Sequence, residues 1–284
     1  MTSFQTVSAG GLKVFYRAAG KPGAPKLLLL GGFPSSSHQF RNLMPALSER
    51  FHLLSIDYPG FGNTELPDPA DWEYSFDHLA EIVDETLLAV DFTGPMGLYM
   101  QGFGGPIGNR LISLHPDWLQ WQIIQNANSY EEGLRTTGEG VPRSLWADCE
   151  TQAPGTFLDP EAVKTIYLTG HPDPAKISPD SWNLDLYFLD RAQARRAQLE
   201  LFYDDRANAE QYVTWQARLR RDQPKTLIFW GQGDILFSPA GGEAYLRDLP
   251  DAKLVRLDSG HFALEDCLDV IVDGINSFYD EKVA

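Results

Sequence analysis

Seven short apolar runs punctuate the chain: residues 12–16 (LKVFY), 26–30 (KLLLL), 51–56 (FHLLSI), 96–100 (MGLYM), 121–124 (WQII), 226–230 (TLIFW) and 253–257 (KLVRL). Most are continuous rather than alternating, as expected of strands covered on both faces within a parallel sheet. Amphipathic helical patterns lie between them, at about 38–47, 76–90, 106–114 and 241–249. Strand and helix in alternation predict a doubly wound α/β sheet. No internal repeat or low-complexity run interrupts the pattern.

One block departs from the alternation. Residues 131–222 hold no convincing buried strand and read as polar and helical, with the clearest helices at 191–203 and 208–221. A block of that size between two sheet strands predicts an inserted helical cap, residues 131–222, on a core domain made of residues 1–130 and 223–284. Ligands of open α/β sheets bind outside the carboxyl ends of the strands, so an insertion there overhangs the site.

Composition removes several classes of function. The 284 residues carry 23 Lys and Arg against 39 Asp and Glu, a formal net charge of −16. Such an acidic chain repels nucleic acid and anionic membranes, and neither is expected as a partner. The two cysteines, Cys149 and Cys267, are too few and too far apart for a disulfide framework or a zinc site, and no metal or cofactor is expected. No run reaches the roughly 18 apolar residues of a membrane span. The first ten residues lack a basic stretch followed by an apolar one, so a cytoplasmic location is expected. The partner expected is a small molecule; the chain itself is expected to be a monomer or homodimer.

Five of the apolar runs end in turns that carry chemistry. They are Gly31-Gly32-Phe33-Pro34, Asp57-Tyr58-Pro59-Gly60, Gln101-Gly102-Phe103-Gly104-Gly105, Gly231-Gln232-Gly233-Asp234 and Asp258-Ser259-Gly260-His261. In this order the set resembles the α/β-hydrolase fold family, and within it the epoxide hydrolase and haloalkane dehalogenase branch. The resemblance spans nearly the whole chain. It implies a mostly parallel eight-stranded sheet with a helical cap, a nucleophile elbow at residues 101–105, and a chain order of nucleophile, acid, histidine. Asp234 and His261 take the last two places. The resemblance also implies an oxyanion hole formed by the backbone N–H groups of Phe33 and Phe103.

The nucleophile place holds Gly102, where the family carries Asp or Ser. Glycine has no side chain with which to attack. Two further departures accompany it. Gly31 stands where His is common in the family. Phe33 and Phe103 stand where dehalogenases place a Trp or Asn to hold halide, which disfavours halide chemistry. The Gly-Phe-Pro loop is closer to the epoxide hydrolases, whose cap tyrosines protonate the epoxide oxygen. Tyr167, Tyr187, Tyr203 and Tyr212 are the cap candidates for that role, with a buried structural tyrosine as the bland alternative for each. Trp182, Leu186 and Phe188 fit an apolar underside of the cap or simply its core. His38 is a pocket candidate or a helix-start packing residue. His52, His78, His115 and His171 read as surface or packing residues.

Three readings follow. The protein is an epoxide-hydrolase-like enzyme with its nucleophile knocked out. Alternatively, it is a repurposed enzyme using the Asp234–His261 dyad and oxyanion hole without a covalent intermediate, as a hydrolase, lyase or isomerase. Otherwise it is a non-catalytic binder of a small, largely apolar ligand on the same fold. Retention of both dyad members favours an enzyme.

Overall fold

The computed structural model describes residues 1–134 and 155–284. Cys149 and part of the expected cap lie outside the described residues. Eight strands form one sheet: β1 (Ser3–Ala9), β2 (Leu12–Ala19), β3 (Lys26–Leu30), β4 (His52–Ile56), β5 (Met96–Gln101), β6 (Leu119–Gln125), β7 (Lys225–Gly231) and β8 (Lys253–Leu257). Their order is β1-β2-β4-β3-β5-β6-β7-β8. The pairs β1·β2 and β2·β4 are antiparallel, and every other pair is parallel. The mostly parallel eight-stranded sheet expected from the sequence is therefore present.

The continuous apolar runs have a direct explanation. Successive side chains on a strand face opposite ways. In β3, Leu28 and Leu30 join one core cluster, with Phe76, Leu79 and Ile107 of the helices on that side. Leu27 and Leu29 join the other, with Leu43, Leu47, Ile271 and Phe278. Helices cover both faces: α1 (Leu43–Leu47), α2 (Phe76–Ala89) and α3 (Gly104–Leu114), then α4 (Gly155–Leu158), α5 (Pro160–Leu168), α6 (Pro179–Leu189) and α7 (Ala194–Asp222) between β6 and β7, and finally α8 (Pro239–Asp248) and α9 (Leu268–Phe278).

Two expectations about helices need correction. The pattern at 38–47 is a 3-10 turn, Ser37–Phe40, followed by α1. The two helices expected at 191–203 and 208–221 are one continuous helix of 29 residues, α7, which begins after Arg191. Residues 204–207 (DDRA) read as a polar break, but none of them stops a helix.

The insertion is tied to the sheet domain by specific contacts. Arg41 donates through both terminal nitrogens to Glu265, at 3.0 and 2.7 Å, and also to Ser181 of α6 at 3.0 Å. Phe202 of α7 packs against Phe33 and Phe103, with centroids 4.7 and 5.6 Å away.

Candidate active site

The turns after β3, β5, β6, β7 and β8 bring Gly32, Gly102, Asn126, Asp234 and His261 together. At the end of β5, Gly102 holds φ +52°, the left-handed region that side chains other than glycine's rarely tolerate. The Gly105 N–H donates to the Gly102 carbonyl at 3.0 Å, closing a tight turn into α3. At Gly104 a Cβ would lie 2.1 Å from the Leu30 carbonyl oxygen, so the turn can press against β3 only with glycine there.

Asp234 and His261 meet behind this turn. His261 Nδ1 lies 2.8 Å from Asp234 Oδ2, and both side chains are buried. A carboxylate only accepts, so the imidazole proton sits on Nδ1 and Nε2 is left as an acceptor. Two further donors hold the carboxylate: Asn126 Nδ2 to Oδ2 at 2.7 Å, and the Leu236 N–H to Oδ1 at 2.7 Å. The His261 carbonyl accepts from Gln125 Nε2 at 3.2 Å and Gln101 Nε2 at 3.4 Å, which fixes the backbone under the ring.

Nε2 faces the elbow. A Cβ built on Gly102 would sit 3.3 Å from His261 Nε2 and 3.3 Å from Gly32 Cα. The imidazole thus stands directly over the place a nucleophile's side chain would leave from. Phe33 and Phe103 are buried, and among the described residues their N–H groups donate to no other group. Tyr58 Oη donates to the Gly31 carbonyl at 3.2 Å, and buried Asp57 accepts from the Ser37 and Asn63 N–H groups at 2.8 and 2.7 Å. Burial pushes the Asp57 carboxyl up, against these donors.

A small cavity of about 10 Å³, room for one water, lies over the elbow. Gly102, Phe103, Asn128, Asp205, Asn208 and Tyr212 are among its walls. Of the four candidate tyrosines, Tyr212 reaches it. Its phenol accepts from Asn128 Nδ2 at 3.1 Å, and burial, followed by the nearby Asp205 charge, raises its pKa well above the ordinary value.

The other candidates lie elsewhere. Tyr187 is 70 % exposed, because α6 turns Ser181, Asp185 and Leu189 inward at helical spacing and leaves Tyr187 on the opposite face. The half-buried Tyr203 ring lies under the Arg206 guanidinium. Tyr167 is fully buried, donates to Asp185 Oδ2 at 2.5 Å and stacks on Phe262 at 4.0 Å. Trp182 is half-buried and lies 6.1 Å from the Tyr167 ring, packed into the core cluster with Leu186. His38 is half-buried, and burial together with Arg41 and Arg17 lowers its pKa to about 4. His115 and His171 do have partners, Asp84 and Asp266, each at 2.7 Å. Asp84 and Asp266 lie 31 and 95 residues from their histidines, which spacing does not reveal.

Sequence reasoning also missed Asn126. Its side chain receives the Gly231 N–H at 2.8 Å and donates to Asp234, and its carbonyl accepts from the Gly102 N–H at 3.3 Å. One residue thereby ties the elbow to the acid. The available signal was the polar run Gln125-Asn126-Ala127-Asn128 directly after the apolar WQII segment.

Comparison with known proteins follows from this geometry. An uncharacterized hydrolase of Saccharomyces cerevisiae is 37% identical over 280 residues, covering 96% of this chain and 95% of that one. A haloalkane dehalogenase of Bradyrhizobium diazoefficiens is 27% identical, covering 92% and 89%. A cis-3-alkyl-4-alkyloxetan-2-one decarboxylase of Shewanella oneidensis is 25% identical, covering 97% and 87%. Among solved structures, a loop variant of the haloalkane dehalogenase DbeA from Bradyrhizobium elkanii has a TM-score of 0.80 at 20% identity, covering 99% and 97%, a likeness of fold. The model of the alpha/beta hydrolase fold matches residues 25–266, and the chain belongs to that family.

Proposed function

We propose that the protein is a hydrolase that opens a small, largely apolar, strained electrophile, an epoxide or a β-lactone, by direct attack of water. Residues 131–222 act as the cap over a core of residues 1–130 and 223–284. The observation that carries this reading is the position of His261 Nε2, 3.3 Å from the Cβ that Gly102 lacks. A free acceptor nitrogen occupies the neighbourhood of the missing nucleophile, and it is backed by Asp234 at 2.8 Å.

The step balances without a covalent intermediate. Nε2 takes a proton from water as the water oxygen bonds to the substrate carbon, and Asp234 stabilises the imidazolium that forms. In an epoxide the ring C–O bond breaks, the Tyr212 phenol supplies the proton to the leaving oxygen, and the imidazolium proton returns to the phenolate through water to restore the site. In a lactone the N–H groups of Phe33 and Phe103 hold the oxyanion of the tetrahedral adduct, which collapses with cleavage of the ring acyl C–O bond as the imidazolium returns its proton to the leaving oxygen. The oxetanone decarboxylase among the relatives acts on a four-membered lactone, which supports including that class.

A single turnover in H₂¹⁸O tests the proposal on a panel of small epoxides and β-lactones. Direct attack puts ¹⁸O in the product of the first turnover. An unlabelled first product means that the oxygen came from a protein carboxylate, and direct attack is then wrong. His261→Ala should lower turnover by about 10²–10⁴-fold. Absence of turnover on the panel, with a ligand still bound under the cap, leaves a binding protein as the better account.

A further inference from the structure

A second buried His–Asp pair borders the loops of the dyad. The segment Thr169-Gly170-His171 follows α5 in the insertion and packs against the loops that carry Asp234 and His261. A Cβ on Gly233 would sit 2.3 Å from Gly170 Cα, and a Cβ on Gly260 would sit 2.1 Å from the Thr169 carbonyl oxygen. Neither distance is open to a carbon atom, so the three backbones touch with no side chain between them. The two loops also bond each other: the Gly233 N–H donates to the Ser259 carbonyl and the Gln232 N–H to the Leu257 carbonyl, each at 2.9 Å. Gly233 precedes Asp234 and Gly260 precedes His261. A shift of the inserted segment is therefore passed one residue along to each member of the dyad.

His171 fastens this contact. Its side chain is buried, and Nδ1 lies 2.7 Å from Asp266 Oδ2. The carboxylate can only accept, so Nδ1 carries the proton. Ser259 Oγ donates to the other carboxylate oxygen, Oδ1, at 2.7 Å. Asp266 thus joins a residue of the insertion to the residue two before His261. The second ring nitrogen, Nε2, has no hydrogen-bond partner among the described residues and lies 3.0 Å from the Cβ that Gly260 lacks. A buried polar atom left unmet is costly, so packing alone would be better served by an apolar ring. What the imidazole supplies beyond packing is an N–H directed at Asp266.

We propose that His171 is a positioning residue: through Asp266 and Ser259 it holds the inserted segment against Gly233 and Gly260, and so fixes His261 Nε2 over the elbow. The inference deepens the function proposed above and rests on it for the task of the dyad. It gives the insertion a part in setting the dyad's geometry, beyond its role as a cover.

The test reads the His261 Nδ1 proton by NMR in the full-length protein with ¹⁵N-labelled histidine, the signal being assigned by its loss in His261→Ala. His171→Phe keeps an aromatic ring and removes the donor. The His261 Nδ1–H signal should shift or broaden, and on the epoxide and β-lactone panel kcat should fall about tenfold or more with KM within about twofold. His171→Asn returns an N–H near the place of Nδ1 and should restore the signal and most of kcat. Ser259→Ala, which removes only a hydroxyl, should move the signal less and in the same sense, and it decides the matter where His171→Phe does not fold. His115→Gln breaks a pair of the same 2.7 Å spacing between α2 and the end of α3, and should leave both readouts unchanged. An unmoved signal in His171→Phe, no recovery in His171→Asn, or an equal change in His115→Gln overturns the proposal. Absence of turnover by the parent protein sinks the proposed reaction instead and leaves the NMR signal to decide this inference.

Discussion

Placing an aspartate at the elbow separates a direct-water enzyme from a disabled covalent one. In Gly102→Asp the backbone at φ +52° must hold an L-residue in the left-handed region, at a cost of about 1–2 kcal/mol. The new Cβ meets His261 Nε2 and Gly32 Cα at 3.3 Å, closer than ordinary carbon contacts. The ring or the loop must yield by a few tenths of an ångström, adding roughly 1 kcal/mol. Together these predict a loss of about 2–3 kcal/mol, or roughly 4–10 °C in Tm for a chain of this size. Gly102→Ala carries the backbone and Cβ costs without the charge and serves as the control. The carboxylate would also lie against Nε2 and pair with a protonated imidazole, removing the base. On the direct-water reading, initial rates on the epoxide and β-lactone panel fall by about 10²-fold or more, measured where both proteins remain folded. The reasoning is refuted if Gly102→Asp turns over an epoxide faster than its parent and the gain disappears in Gly102→Asp, His261→Ala. The site would then be a covalent hydrolase lacking only its nucleophile.

Three further outcomes follow from the same geometry. Asn126→Leu leaves the Gly231 N–H without its acceptor and the Asp234 carboxylate short of one donor, so it should cost about 2–3 kcal/mol in urea melts and lower kcat more than it raises KM; unchanged kcat would remove Asn126 from the positioning of the dyad. Asp185 is fully buried, and desolvation raises its pKa from 3.8 to about 7. The folded state therefore binds this proton more tightly than the unfolded one, and the group destabilises the fold progressively as pH rises from about 4 through 7. Asp185→Asn, which keeps an acceptor for Tyr167, should flatten the stability profile by about 2 kcal/mol between pH 5 and 8, and parallel profiles would count against a buried titrating Asp185. Arg41→Met strips the buried Glu265 carboxylate of a bidentate partner and should cost roughly 2–3 kcal/mol, with protease nicking of the 179–189 segment rising first; nicking that starts elsewhere would show that this contact does not hold the insertion down.

The legible parts of this chain share a property: their chemistry is local in sequence. Residues 26–30 (KLLLL) announce a strand because both faces are buried, and the turn that follows is written in adjacent residues. The edge strand β1 gave no such run because five of its seven residues are exposed. Asp234 and His261 were readable because each stands in a turn at a fixed place in the family's chain order. Asn126 was harder to see. Its work is done by a side chain that bridges to β7 and a carbonyl that holds the elbow, contacts between segments about a hundred residues apart.

The tyrosines show where such reading stops. All four lie in the segment expected to form the cap, and composition treats them alike. Helix phase separates them: α6 turns Tyr187 outward and α7 turns Tyr212 toward the cavity. Phase can be read only once a helix's bounds and its docked face are known, and a polar stretch such as 204–207 hid that α7 is one helix. The same continuity puts Asp205, Asn208 and Tyr212 on one face. With a break at 204–207, Asp205 would fall in a loop, with no phase to relate it to Tyr212. A proline at Arg206, which would break the helix there, should disrupt the Asp205 and Tyr212 positions together, even though it alters neither side chain.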